Sequence, residues 1–271
     1  MLIAQISDTH LKLPGRLAYR RVDTAQMMRA CVAQLLALDP QPDLIVHTGD
    51  LTDLGLPDEY AHLKEILAPL TAPILAVPGN HDEREAMRAA FAAEGYLPVQ
   101  GFLHYAVERG PLRLVGLDTV VPGQGGGALC AERLGWLDAT LAEMPAAPTL
   151  ILMHHPPFPT GIAHMDRIGL QGCEDFAEIV RSHPQVEAIL CGHVHRVIRA
   201  SVGGRPAMIC PSPAHQVALD LRPEGPSAFM LEPPGYMLHR WADGQLVSLV
   251  AVLGQWPGPF PFFDGDGKLI E

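Results

Sequence analysis

The stretch Leu2 to His10, LIAQISDTH, sets the reading of the whole chain. Five residues of strand character, Leu2 to Ile6, run straight into Ser7-Asp8-Thr9-His10, a compact polar cluster. The same format returns four more times. Asp43 to His47 leads to Gly49-Asp50, and Ile74 to Val77 leads to Gly79-Asn80-His81-Asp82. Thr149 to Met153 leads to His154-His155-Pro156-Pro157, and Ala188 to Cys191 leads to Gly192-His193-Val194-His195. Helical spacing of apolar residues predicts helices over 22–38, 57–67, 83–94, 132–144 and 174–181. A hairpin is expected from Leu103–Glu108 and Leu112–Leu117 through Arg109-Gly110-Pro111. After Val197 the helical periods stop, and 197–202, 205–210, 236–241 and 246–253 read as antiparallel strands. The alternation predicts an α/β fold, a four-layer α/β/β/α sandwich of two mixed sheets flanked by helices. One domain is expected over residues 1–253, with the Gly/Pro-rich stretch 211–235 as a cap-like insertion and 254–271 as a C-terminal arm.

Composition narrows the field before any chemistry is considered. The chain has 271 residues, 48% of them apolar and 18% charged, which is ordinary for a globular protein. Its formal net charge is −11, and the densest basic spot is Arg20-Arg21. A polyphosphate backbone would be repelled by such a field, so no nucleic-acid partner is expected. No apolar stretch approaches the roughly 20 residues of a membrane span, so no membrane partner is expected either. The first strand starts at once, leaving no room for a leader. The five cysteines are scattered and form no CxxC pair, so they read as small buried hydrophobes in a reducing, cytoplasmic setting.

The remaining signal is the 13 histidines, several of which sit in the five clusters. In an open α/β sheet, ligands bind at the carboxyl ends of the strands. The five clusters would therefore converge on one rim. Asp8, Asp50, Asn80 and four or five histidines in one place would be costly without a cation. Their nitrogen and oxygen donors, with no thiolate, suit Zn, Fe, Mn or Co. Seven or eight ligands exceed what one such ion takes, so two divalent ions are implied, an arrangement suited to hydrolysing phosphate esters. In an extended segment residues i and i+2 point the same way, so Asp8/His10 and His193/His195 could each present two side chains.

The ordered set D-x-H, G-D, G-N-H-D, H-H-P-P and G-H-x-H resembles the calcineurin-like metallophosphoesterase superfamily. More closely, it is similar to the bacterial glycerophosphodiesterases and class III cyclic-nucleotide phosphodiesterases. The similarity extends to Tyr19, to Ala214-His215-Gln216-Val217 and to Leu238-His239-Arg240-Trp241. The resemblance implies that Asp8, His10 and His195 hold one metal, that Asn80, His154 and His193 hold the other, and that Asp50 bridges them. It implies that His81 contacts the phosphate or leaving group, and it places Asn80, Tyr19 and His215 at the substrate as well. Asp50 and His81 would then carry the catalysis, with a metal-activated hydroxide attacking phosphorus directly. It also implies a homodimer or a larger assembly.

Other residues read more blandly. His47, His62, His104, His164, His183 and His239 are taken as solvated, and Asp53 and Asp82 as braces of their loops. His155 is left open between a site role and mere adjacency. Gly123 to Gly127 lacks the Lys-Ser/Thr of a phosphate loop and reads as a mobile loop near the site. The expected substrate is a small phosphodiester of the glycerophosphodiester type. A cyclic nucleotide is the alternative, although the pocket loops 11–21, 119–130 and 211–235 read as poor in the aromatic or amide groups a base would need. A non-catalytic scaffold of the same fold is a further alternative.

Overall fold

The computed structural model, which describes residues 1–270, puts each polar cluster at the carboxyl end of a strand. The strands are β1 (Leu2–Ile6), β2 (Leu44–His47), β3 (Ile74–Ala76), β4 (Tyr105–Arg109), β5 (Leu112–Leu117), β6 (Gly127–Ala128), β7 (Thr149–Met153), β8 (Leu170–Gln171), β9 (Val186–Cys191), β10 (Ile198–Val202), β11 (Arg205–Ile209), β12 (Gln216–Val217), β13 (Phe229–Met230), β14 (Gly235–Ala242) and β15 (Gln245–Val252). The helices are α1 (Thr24–Leu36), α2 (Pro57–Leu67), α3 (Arg84–Ala90), α4 (Ala131–Glu143), α5 (Ala163–Asp166) and α6 (Cys173–Ser182).

Two mixed sheets result. One has the order β15-β14-β1-β2-β3, with β1, β2 and β3 parallel and β14 antiparallel to β1. The other has the order β10-β11-β9-β7-β5-β4, with β5, β7, β9 and β11 parallel. The two-residue period of a strand sorts side chains into layers. Ile3, Leu44, Val46 and Leu75 face Leu114, Leu150, Leu152 and Leu190 between the sheets. Ala4, Ile6 and Ile45 face outward onto Met28, Leu35, Leu63 and Met87 of α1, α2 and α3. Ile151, Met153 and Ile189 face the other way, onto Leu137, Leu141, Phe176 and Val180 of α4 and α6. The expected four-layer α/β/β/α sandwich is borne out.

Details differ from the sequence reading. The 83–94 helix is two pieces, α3 and a 3₁₀ turn at Ala92–Glu94, because Phe91 leaves helical geometry (φ −106°, ψ 16°). The strand over 205–210 is not wholly antiparallel: β11 turns back from β10 and runs parallel to β9. The five cysteines are free, but Cys130 is exposed and Cys173 half-buried, so only Cys31, Cys191 and Cys210 are buried hydrophobes. Both outliers begin helices, where a residue faces the loop side and not the core. Residues 254–270 are exposed and hold one isolated bridge, Phe263 with Leu269. Among the described residues no helix is long and apolar enough to cross a membrane.

Candidate metal centre

Backbone hydrogen bonds tie the loop after β1 to the loop after β2, and the loop after β7 to the loop after β9, while the side chains of Asp82 and Asp8 join the rest. Asp8 N donates to Gly49 O (2.9 Å), His10 N to Asp50 O (3.0 Å) and Gly192 N to His154 O (3.0 Å). The segments are not extended, which corrects the i, i+2 argument. Asp8 (φ 55°), His10 (42°), Asp50 (52°), His193 (73°) and His195 (56°) all lie in the left-handed region. Each such residue costs roughly 1–2 kcal/mol. A flat strand end would carry His10 past the site, whereas left-handed residues at alternate positions curl the loop so that both side chains of each pair converge. The close approach also demands glycine. A Cβ on Gly192 would stand 2.6 Å from Thr48 O and 2.9 Å from Asp8 Oδ2, and one on Gly79 would run into the Asp50 carboxylate.

Asp50 Oδ2 lies 3.4 Å from His10 Nε2 and 3.4 Å from His154 Nε2. On the first side, His10 Nε2 faces His195 Nε2 at 3.1 Å, and Asp8 Oδ1 lies 3.5 Å from His195 Nε2. Ligand-type atoms of Asp8, His10, Asp50 and His195 all fall within 4.8 Å of one another, and all four residues are buried. On the second side, Asn80 Oδ1 is 3.1 Å from His154 Nε2, and the His193 ring lies 5.1 Å from the His154 ring.

The rings are aimed from behind. His154 Nδ1 donates to Thr48 O (2.9 Å) and His195 Nδ1 to His215 O (2.9 Å), which leaves a lone pair on each Nε2. His193 is turned the other way, with Nε2 donating to Ile168 O (3.1 Å), so its lone pair sits on Nδ1. His81 Nδ1 donates to Asp53 O (2.8 Å), its backbone N–H donates to Asp50 Oδ1 (2.9 Å), and its ring stands edge-on to His10 at 4.5 Å.

Electrostatics favour a cation. Burial, reinforced by neighbouring rings, holds His193 down to about 3 and His195 well below the usual histidine range, so both are neutral, the form that binds metal. Burial opposes ionisation of Asp50, but His154 and His81 hold its carboxyl well below the usual range. Burial likewise opposes a charge on His154, yet the Asp50 carboxylate raises it. Burial pushes Asp8 up, and the Asp50 charge adds to that. Asp8 Oδ2 and His10 Nδ1 are buried without a hydrogen-bond partner. Orphaned polar atoms of this kind are costly unless something else satisfies them. A nitrogen and oxygen donor set with an orphaned carboxylate oxygen fits divalent ions.

Asp82 braces the rim. It accepts from Gly79 N (2.9 Å), Leu51 N (3.1 Å), Thr52 N (3.2 Å), Thr52 Oγ1 (3.3 Å) and Tyr60 OH (2.8 Å). Asp53 supplies its carbonyl to His81 and pairs with Lys12. The solvated reading of six histidines is corrected. His47 and His239 are fully buried, and His62 and His164 nearly so. His239 bridges Gln5 Oε1 (2.9 Å) and Ser248 Oγ (2.8 Å), while His62 Nδ1 donates to Lys12 O (2.8 Å). His104 and His183 are half-buried, and both are paired: His104 with Asp118 N (3.0 Å), His183 with Asp138 (2.7 Å). His62 and His239 have both nitrogens satisfied, whereas His47 Nδ1 and His104 Nε2 are buried without a partner; a neutral imidazole can be buried where a charged side chain cannot.

A cleft of about 430 Å³ opens over the cluster, with His81, Tyr19, His215 and Phe229 on its wall. Tyr19 is 50% exposed, with its ring 5.2 Å from His215 and 5.1 Å from Phe229. The pocket loops carry few aromatics, yet the two they have, Tyr19 and Phe229, both reach the cleft, the second on the β12–β13 hairpin. Sequence reasoning also missed His164 and Ile168, which line the cleft from around α5 and carried no motif. His155 is fully buried and satisfied, with Nε2 on Gly125 O (3.1 Å) and Nδ1 at Thr119 Oγ1 (2.7 Å). The loop read as mobile is fastened by that bond and by Gly127 N to Gly169 O (3.1 Å).

The chain is similar to known phosphoesterases. The sequence profile described as calcineurin-like phosphoesterase matches residues 1–197. The chain is 39% identical, over all of both chains, to a probable glycerophosphodiester phosphodiesterase GpdQ of Arcobacter nitrofigilis. It is 33% identical to the 3',5'-cyclic adenosine monophosphate phosphodiesterase CpdA of Escherichia coli K12, over 92% of this chain and 88% of that one. The crystal structure of a dimetal phosphatase from Danio rerio shares the fold with a TM-score of 0.63 at 17% identity, over 94% of this chain and 99% of that one.

Proposed function

The chain belongs to the calcineurin-like phosphoesterase family, and on that premise we propose that it hydrolyses small phosphodiesters of the glycerophosphodiester type at a centre of two divalent ions. The observation that carries this reading is the position of Asp50 Oδ2, 3.4 Å from a histidine nitrogen on either side, between two sets of nitrogen and oxygen donors. Asp8, His10 and His195 would hold one ion, Asn80, His154 and His193 the other, and Asp50 would bridge them. The donor set suits Fe, Mn, Zn or Co. Bound there, the ions supply acidification of water near neutral pH and neutralisation of charge on the phosphoryl oxygens.

The chain's own residues do the rest. His81 lines the cleft, and its Nδ1–H is taken by the Asp53 carbonyl, so Nε2 is the remaining nitrogen, and with the ring as imidazolium it can hand its proton to the departing alkoxide and be left neutral. Tyr19 and His215 stand where they can contact the substrate. No side chain is needed as nucleophile. Ser7 Oγ is engaged with Thr48 O (3.2 Å) and Ser212 Oγ with Asp8 O (2.8 Å). Single turnover in heavy-oxygen water should place one labelled oxygen in the product, and a trapped phosphoenzyme would refute direct hydrolysis.

A specific observation also favours a second reading. The Tyr19, His215 and Phe229 rings form a surface on which a nucleobase could stack. The alternative substrate is therefore a cyclic nucleotide. Rates on glycerophosphoethanolamine and on cyclic AMP, measured side by side with Mn²⁺, decide between the two. Residues 1–253 are read as the metallophosphoesterase domain, 211–235 as its cap and 254–271 as an arm. The family resemblance supports a homodimer or larger assembly, and five free cysteines support a cytoplasmic setting.

A further inference from the structure

We propose that Ile168 is a specificity-determining residue that divides two clefts, and that the cleft beyond it receives the retained alcohol arm of a diester. The proposal rests on the diesterase reading above. Ile168 lines the cleft over the metal centre. It also lines a second cleft of about 420 Å³, floored by Gly125, Gly126 and Gly169. Those glycines put no side chains into the space, and a Cβ on Gly126 would stand 3.1 Å from Gly169 O. The second cleft is bonded to His193, a proposed ligand, and to its neighbour His155. Ile168 O accepts from His193 Nε2, and Gly125 O accepts from His155 Nε2, both at 3.1 Å. The His155 and His193 rings lie 4.6 Å apart, so the walls of this cleft are positioned with the ligands themselves.

A phosphodiester carries two alcohol arms on one phosphorus. In an in-line displacement the leaving arm departs on the His81 side, and the retained arm needs a place of its own. His81 is fixed to the first sheet's loops through Asp53 O and Asp50, whereas Ile168 is fixed to His193 at the end of β9 in the second sheet. The retained arm is assigned to the side of Ile168, away from His81. Gln124, Arg167 and Gln171 surround the second cleft. The Arg167 guanidinium makes no hydrogen bond or ion pair among the described residues. Its neighbour Asp166 is already engaged by Thr160 N (2.7 Å), Thr160 Oγ1 (2.8 Å) and Gly161 N (2.9 Å). A polyol or a carboxylate-bearing alcohol suits this lining, with Gln124, Arg167 and Gln171 for its oxygens and Phe158 and Leu170 for its carbons.

The test compares three chromogenic diesters with the same leaving group, the glyceryl, methyl and inositol 4-nitrophenyl phosphates, on the Mn²⁺-loaded enzyme. Ile168→Trp fills the passage but keeps the backbone carbonyl that holds His193. It should lower kcat/KM for the glyceryl diester about fivefold to tenfold more than for the methyl diester, so the readout is the ratio of the two. Ile168→Ala widens the passage, and selectivity should shift from glyceryl towards a bulkier inositol arm. Metal content and Tm of both variants separate an altered passage from a damaged centre. Equal losses on the glyceryl and methyl diesters, or an unmoved ratio in both variants, would overturn the assignment. A wild-type enzyme inactive on every diester would instead sink the diesterase reading, and this inference with it.

Discussion

Replacing Asp82 tests whether the rim holds the catalytic loop in place. The carboxylate is 6% exposed and takes five donors from two loops and α2, three of them backbone N–H groups of Leu51, Thr52 and Gly79. In Asp82→Asn one oxygen becomes an NH₂ group. If it replaces Oδ2, it meets the Leu51 and Gly79 amides donor to donor. If it replaces Oδ1, it meets the Thr52 amide, while the hydroxyls of Thr52 and Tyr60 can turn to accept. At least one buried amide is therefore orphaned, at roughly 1–3 kcal/mol. Burial and the Asp50 charge already raise the Asp82 carboxyl, so neutralising it offsets part of that loss. A net loss of about 1–2 kcal/mol is expected. Asp82→Ala orphans all three amides and should cost roughly 3 kcal/mol or more. Tyr60→Phe removes one donor and leaves the carboxylate with four, so it should cost about 1 kcal/mol. Urea unfolding gives the three values. Because Gly79 leads directly into Asn80 and His81, diester turnover should fall in the same order. An Asp82→Ala protein as stable and as active as wild type would refute the reasoning.

Further outcomes are expected. Gly192→Ala would force a Cβ onto Thr48 O and Asp8 Oδ2, so it should lose several kcal/mol of stability and most bound metal; thermal melting and metal analysis of the purified protein check this. Asp50→Ala should lose most activity, and Asn80→Ala should weaken one of two titratable Mn²⁺ sites more than the other; a titration in which both sites weaken equally would contradict the assignment. His239 is held by burial down to about 3, below the ordinary value of 6.5. As pH falls through 6.5 the unfolded chain takes up a proton there and the folded chain does not, so stability is full above about pH 6.5 and is lost as pH falls towards 3. Chelator-treated His239→Gln should show a shallower fall in unfolding free energy between pH 6.5 and 4, by up to about 1.4 kcal/mol per pH unit, and parallel curves would argue against it.

The sequence by itself determined the order of elements and the identity of the polar clusters. A strand's two-residue period and a helix's longer one are local properties, and the five clusters at strand ends can be read one residue at a time. The make-up of those clusters, which hold no cysteine, likewise limited the chemistry to nitrogen and oxygen donors. Only the tertiary structure decided how Asp8, His10, Asp50, His193 and His195 face one another. Their left-handed backbones are sustained by bonds between loops far apart in sequence, such as Asp8 N to Gly49 O and Gly192 N to His154 O. It also decided that His47 and His239 are buried, because whether an imidazole meets water or a partner depends on residues such as Thr9 and Gln5, which lie far away along the chain. Ile168 and Phe229 reach the cleft for the same reason. Nothing next to them in the chain marks them, and they line the site only because the fold brings α5 and the β12–β13 hairpin over the strand ends.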